Sequence, residues 1–186
     1  KAMSINERMV LTNMAVEAGA KTGIFQPDEK TAEYLAACGR EPKYLLESDP
    51  DAVYEKEYFY DLSKIRPVVA RPDNVDDVVS VDEVKNVIIH QAFIGSCNSG
   101  RIEELRTAAS ILKGHKIHEG VRLLIAPASN TVYLQALQEG LLDIFMDAGA
   151  MIMNSNCSVC WGSCQGVIGE GEVLISTGTR NFKGRA

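Results

Sequence analysis

Val87-Ile88-Ile89-His90-Gln91-Ala92-Phe93-Ile94-Gly95-Ser96-Cys97 is the stretch on which the fold turns. Its apolar residues run on without polar alternation, as in a strand buried on both faces. Beyond it the pattern switches period repeatedly. A helix is predicted over 102–112, a strand over 121–126, helices over 129–139 and 141–148, and strands over 150–153 and 173–176. This alternation predicts an α/β fold, a mostly parallel sheet with helices on both faces. In such sheets ligands collect at the carboxyl ends of the strands. Cys97 stands just past the first strand, and Cys157 and Cys160 just past the strand at 150–153.

Upstream of Val87 the signal is different. Residues 4–20 read as a helix with Ser4 as its cap and Glu7 at the capping-box position, and Gly19 and Gly23 mark its end. A second helix is predicted over 28–38, started by Pro27 and Asp28 and stopped by Gly39. From Arg40 to Asn86 short extended pieces, Tyr58-Phe59-Tyr60 and Pro67-Val68-Val69-Ala70, alternate with Pro and Asp turns, the acidic run 73–77 among them. Two parts are expected: a helical and connecting segment, 1–86, and an α/β domain, 87–186.

Composition narrows the function. In 186 residues, 46% apolar and 24% charged, a disordered chain is excluded and a real core is expected. Nineteen basic against 25 acidic residues leave a net charge of −6, which disfavours nucleic acid and anionic membrane as partners. No apolar run reaches the roughly 20 residues of a spanning helix, and the first residues lack a signal-peptide core. A soluble, cytoplasmic protein is expected. Five cysteines, an odd number, with three of them between positions 157 and 164, favour reduced thiols kept for a metal, a cluster or redox work.

Cys157-Ser158-Val159-Cys160 puts two thiols on one turn, and Cys97 can supply a third ligand. The spacing leaves several readings open. A C-x-x-C pair is often plain packing; a zinc site would need a fourth ligand, for which Cys164 is the nearby candidate; a thioredoxin-like pair would not need Cys97. Three thiolates on a four-iron cluster would leave one iron without a protein ligand, free to act as a Lewis acid. Gly95, Gly162 and Gly166 are expected to allow a bulky cofactor close to the backbone.

Four segments carry a family resemblance. Phe93-Ile94-Gly95-Ser96-Cys97 with Arg101-Ile102-Glu103-Glu104-Leu105 looks like the first cluster-ligand segment of the aconitase superfamily, and Cys157-Ser158-Val159-Cys160-Trp161-Gly162 like the second. Thr179-Arg180-Asn181-Phe182-Lys183-Gly184-Arg185 is similar to its arginine motif, and Asn13-Met14-Ala15-Val16-Glu17-Ala18-Gly19-Ala20 to the asparagine-to-glutamate helix that precedes them. The wording is nearest the 3-isopropylmalate dehydratase and homoaconitase large-subunit branch. The resemblance implies that Cys97, Cys157 and Cys160 hold a [4Fe-4S] cluster with one iron not ligated by protein. It makes Arg180 and Arg185 binders of substrate carboxylates, Asn13 a substrate-side contact and Glu17 the catalytic proton carrier. The implied activity is a hydro-lyase that dehydrates and rehydrates a 2-hydroxy di- or tricarboxylate. The implied partner is a small subunit or swivelling domain bearing the catalytic serine. An Asn13–Glu17 pair at i and i+4 would share one helix face, and forked arginines suit polycarboxylates better than lysines do.

The sequence also departs from the pattern. Asn98-Ser99-Gly100 follows Cys97 where the family has Thr-Asn, and Asn154-Ser155-Asn156 leads into the C-x-x-C. The family's Asp-Ser-His motif and catalytic serine do not occur here, so the chain is read as a fragment, inactive by itself. His90, His115 and His118 are read as non-ligands, Cys164 as packing, and Trp161 as either packing or a water shield for the cluster. The rival reading is a non-catalytic iron–sulfur or zinc module that senses or binds.

Overall fold

Ser4 opens the first helix as its spacing from Glu7 requires. The Ser4 hydroxyl accepts the Glu7 N–H at 3.2 Å and the Glu7 carboxylate accepts the Ser4 N–H at 2.6 Å. Helix α1, Ile5–Asn13, follows in a computed structural model of the chain, which describes residues 2–42, 46–162 and 164–185. The continuous helix expected over 4–20 does not form, because Met14–Val16 tightens into a 3-10 turn. The Thr12 hydroxyl donates back to the main-chain oxygens of Arg8 and Met9 at 3.2 and 3.1 Å, a local bond of the kind that bends helices. Asn13 and Glu17 therefore bracket a 3-10 turn. At about 120° per residue, four residues of such winding do not return to the same face, so the expected i, i+4 alignment is lost.

Helix α2, Glu29–Ala37, is capped by Asp28 and ends at Cys38 before Gly39, close to the expected limits. Asp28 also grips the buried Arg8 through two bonds of 2.7 Å, and Phe25 stacks on that guanidinium at 4.8 Å. The pairing holds the Asp28 carboxyl well below the usual carboxylate range. Tyr58-Phe59-Tyr60 forms no strand; the three side chains are exposed, and Tyr58 and Tyr60 stack at 6.4 Å. These elements lie in the first of two compact units, Lys1–Pro67.

The second unit is Val68–Ala186. It begins with a hairpin, β1 (Val68–Ala70) antiparallel to β2 (Val78–Ser80), whose turn is the acidic run; Arg71 pairs with Asp77 at 2.6 Å across it. The segment 68–86, read from sequence as connector, thus groups with the α/β unit, and Asn181 donates to the main-chain oxygens of Arg71 and Asn74 at 2.7 and 3.1 Å. After α3 (Val81–Val84) come β3 (Gln91–Gly95), the single turn α4 (Ser96–Ser99), α5 (Ile102–Leu112), β4 (Arg122–Ala126), α6 (Asn130–Gln138), α7 (Leu141–Ala148), β5 (Met151–Ile152) and β6 (Leu174–Ser176). The sheet is parallel throughout, in the order β5-β4-β3-β6. β3 begins four residues later than its apolar run because its neighbours begin at Arg122 and Leu174; Val87 and Ile88, with no strand beside them, stay exposed.

Alternation along the strands sorts the core into two faces. Leu123 and Ile125 pack against Leu105, Ala108 and Ala109 of α5, Ala136 of α6, and Leu142 and Phe145 of α7. Phe93, Leu124 and Ala126 face the other way, onto Met153, Val159 and Leu174. Helical residues cover both faces, though unequally: three helices on one and the 3-10 turn Ser158–Cys160 on the other. That second face brings the C-x-x-C onto the sheet. Among the described residues no helix is long and apolar enough to cross a membrane.

Candidate functional site

Strands of a parallel sheet end on the same side, and the segments beyond those ends carry this chain's reactive side chains. At the end of β3 the Gly95 N–H donates to Thr177 Oγ1 at 3.2 Å, and the Thr177 N–H donates to the Phe93 oxygen at 3.0 Å, so pairing continues one residue past β6. Ser96 then turns the chain at φ +69°, in the left-handed region that serine rarely enters. The turn buries Ser96 and Asn98 and leaves Cys97 exposed, its Sγ 4.0 Å from Asn98 Oδ1.

The loop after β5 presents the second pair of thiols. Asn156 Oδ1 accepts the Ser158 N–H at 2.6 Å, and the fully buried Ser158 hydroxyl donates to the Gln165 oxygen at 2.8 Å. Val159 plugs into the core, which fixes the turn with Cys157 exposed and Cys160 half-buried. Gln91, buried at the start of β3, ties the same loop down by donating to the Gly166 oxygen at 2.5 Å, while its own oxygen accepts Arg122 Nε at 3.2 Å.

The segment after β6 supplies the arginines. Thr179 Oγ1 accepts both Asn98 Nδ2 at 3.4 Å and Arg180 Nη1 at 3.1 Å, joining the Cys97 turn to the arginine motif. Arg185 Nη1 donates to the Cys160 oxygen at 3.4 Å, and its guanidinium carbon lies 5.1 Å from the Trp161 ring and 5.8 Å from that of Phe182.

Burial pushes the Cys160 thiol above its ordinary range; the Ser96 hydroxyl and Arg180 pull it down, and Cys97 and Cys157 raise it again. Cys160 is thus within electrostatic reach of both other expected ligands and of one expected substrate arginine. Among the described residues no three His, Cys, Asp or Glu side chains close around a point as they would for a single ion. The donor set is chemically suited to a larger group: three soft thiols from two loops, with the buried Ser96 hydroxyl beside Cys160. A four-iron cube holds its thiolates farther apart than one ion does. Cys164, read from the sequence as packing, is instead exposed, as Cys97 and Cys157 are. Asn13 and Glu17 belong to the first unit, where both are half-buried.

The glycines differ from expectation. A Cβ on Gly95 would meet the Ala126 oxygen and Phe93 Cζ at 2.7 Å, one on Gly166 would meet Leu124 Cδ1 at 2.5 Å, and one on Gly162 would run into the Arg185 main chain. Their close approaches serve the protein's own packing. His90 Nδ1 accepts the Val173 N–H and His118 Nδ1 the Gly120 N–H, ordinary structural bonds. Residues that sequence reasoning passed over are Gln91, Ser96, Thr177 and Thr179. The two threonines had a signal, hydroxyls at alternate positions just past a strand; the serine and glutamine had none.

The site is that of a thiol-bearing α/β domain with arginines at the same strand ends. The sequence matches the Aconitase family (aconitate hydratase) over residues 1–88 and 82–186, and the chain belongs to that family. It is 50% identical over 184 residues to a 3-isopropylmalate dehydratase large subunit 2 of Archaeoglobus fulgidus, with 98% of this chain and 44% of the relative covered. It is 49% identical over 185 residues to a 3-isopropylmalate dehydratase large subunit of Hydrogenobaculum, covering 100% and 44%. A probable 3-isopropylmalate dehydratase large subunit of Methanothermobacter thermautotrophicus is 49% identical over 183 residues, covering 98% and 44%. The chain therefore spans about 44% of the length of the curated relatives it matches.

Proposed function

We propose that the intact protein is a hydro-lyase large subunit that converts a 2-hydroxy dicarboxylate of the 3-isopropylmalate type by removing and re-adding water, in the cytoplasm and with a small subunit as partner. The observation that carries this reading is that three thiols stand on the loops past β3 and β5 while Thr179 bonds both Asn98, next to Cys97, and Arg180, and Arg185 bonds the Cys160 carbonyl. Cys97, Cys157 and Cys160 would hold a [4Fe-4S] cluster, with residues 68–186 as its domain and 1–67 belonging to the domain before it. When bound, the cluster supplies a Lewis-acid iron without a protein ligand, suited to a hydroxyl and its neighbouring carboxylate.

The chain's own residues do the rest. Arg180, steadied by the Thr179 hydroxyl, and Arg185, held at the Cys160 carbonyl, take the substrate carboxylates and fix which face of the molecule is presented. On the family resemblance, Glu17 would carry the proton with which the departing hydroxyl leaves as water, and Asn13 would orient that hydroxyl. The partner supplies the base that takes the proton from the adjacent carbon. Relatives bearing the words "large subunit" support a second chain.

The test is an anaerobic assay of the iron-reconstituted protein with its small partner against 3-isopropylmalate, homocitrate, citrate and dimethylmalate. Turnover of one of them is expected. Arg180→Lys removes a forked donor worth about 1.5–3 kcal/mol and should cut kcat/KM roughly 10- to 100-fold at unchanged iron content. Colourless protein binding one zinc, or full activity in Arg180→Lys, would overturn the reading.

A further inference from the structure

The two arginines of the motif are held in different ways. Arg180 leans on a neighbouring hydroxyl, whereas Arg185 lies against aromatic rings. Trp161, one residue past Cys160, places its ring 5.1 Å from the guanidinium, and Phe182 stands at 5.8 Å. The carbonyl of Cys160 accepts Nη1 at 3.4 Å. Gly162, at φ +80°, leaves the space through which the main chain of Arg185 reaches this loop. Trp161 is itself 57% exposed, so it is not held there by burial in the core. A large aromatic side chain kept at the surface against a cation is a positioning device: a guanidinium stacked on a ring loses its rotamer freedom yet keeps its in-plane donors available.

We propose that Trp161 is a positioning residue that, with Phe182, clamps Arg185 in the orientation in which it receives a substrate carboxylate. The inference rests on the hydro-lyase reading and adds to it the group that orders the second arginine. One guanidinium donor is committed to the Cys160 carbonyl, so the arginine is registered on the loop that carries two of the three thiols. The carboxylate it takes is then set at a fixed place relative to them. Without the ring, Arg185 would have to be ordered anew each time substrate binds, at a cost to affinity more than to the chemical step.

The experiment uses the assembled, iron-loaded enzyme and 3-isopropylmalate. Trp161→Ala should raise KM and the calorimetric dissociation constant about two- to fivefold, the worth of one exposed cation–π contact, with kcat and iron content little changed. Trp161→Phe, which keeps a ring face, should restore most of that loss. In an Arg185→Gln background Trp161→Ala should add nothing further. Phe182→Leu should raise KM in the same sense, and it decides the matter if Trp161→Ala does not assemble. Unchanged KM in an active Trp161→Ala enzyme, or loss of iron with KM unaltered in both variants, would overturn the clamp. If the wild-type enzyme turned over no hydroxy acid, the hydro-lyase reading would fall instead. The clamp would then be judged by the Nε–H resonance of Arg185 in apo protein, shifted upfield by the indole ring in the wild type and not in Trp161→Ala.

Discussion

Gly162 offers the sharpest structural test of how the site is assembled. Its φ of +80° belongs to the left-handed region, and a Cβ there would stand 2.8 Å from the Arg185 Cα and closer still to that residue's carbonyl group. Gly162→Ala therefore costs about 1–2 kcal/mol for the backbone conformation alone. It also forces residue 185 to retreat, forfeiting the charged hydrogen bond to the Cys160 oxygen, about 1.5 kcal/mol, and the contact with Trp161, about 0.5 kcal/mol. The total is about 3–4 kcal/mol. Gly114 is the control: its φ is +78°, and a Cβ there meets nothing within 4 Å. Gly114→Ala should lose only the conformational part, about 1–2 kcal/mol. Urea unfolding of both variants at neutral pH, read as midpoint shifts at constant m, measures the difference. Equal destabilisation by the two substitutions would refute the claim that the Arg185 main chain is seated on Gly162.

Two further tests address the fold beneath the site. Phe145→Ala empties a fully buried position between α7, α5 and the sheet and should destabilise by about 3–5 kcal/mol in calorimetry, while Met146→Ala next to it, on the exposed face of the same helix, should stay within about 0.5 kcal/mol. Arg122 and, after it, the Gly169 N–H depress the Glu172 carboxyl from 4.5 to about 2. A depressed carboxylate stabilises the fold above its unfolded pKa, and that contribution is lost as pH falls from 4.5 through about 2. Glu172→Gln should flatten the acid limb of the unfolding midpoint over this window; an unaltered limb would show the pair to be thermodynamically silent.

The α/β half of the chain was legible because its elements are amphipathic or wholly apolar. The predicted helices over 102–112 and 141–148 match α5 and α7 to the residue, since Leu105, Leu142 and Phe145 leave no doubt about the inward face. The helix over 4–20 misled because its apolar residues ring the whole surface, giving no preferred face, while the back-bonding Thr12 hydroxyl leaves no mark in a hydrophobic pattern. The hairpin of β1 and β2 was half visible: Val68-Val69-Ala70 read as extended, but its partner at 78–80 lay beyond an acidic turn that gave no pairing signal.

Within the site, legibility depended on whether a residue's role is set by its neighbours in sequence or across the sheet. Cys157 and Cys160 announce themselves by spacing. The hydroxyls that join the parts do not, because Asn98 meets Thr179 across 81 residues and Gly95 meets Thr177 across 82. Those bonds depend on β6 lying beside β3 in parallel, with Phe93 opposite Ser176. Cys97 and Arg180 each stand four residues past that pair, Cys97 in the turn that Ser96 starts and Arg180 in the segment that Thr179 bonds to that turn. A slip of one residue would turn every side chain of β6 to the opposite face, and a slip of two would move Arg180 about 7 Å along the sheet. The short ladder of β6 is enough to hold this register because the Thr177 and Thr179 hydroxyls extend it by two further bonds beyond the strand. The same threonines thus tie the segment that carries the first arginine to the turn that carries the first thiol, a join on which any chemistry at these strand ends depends.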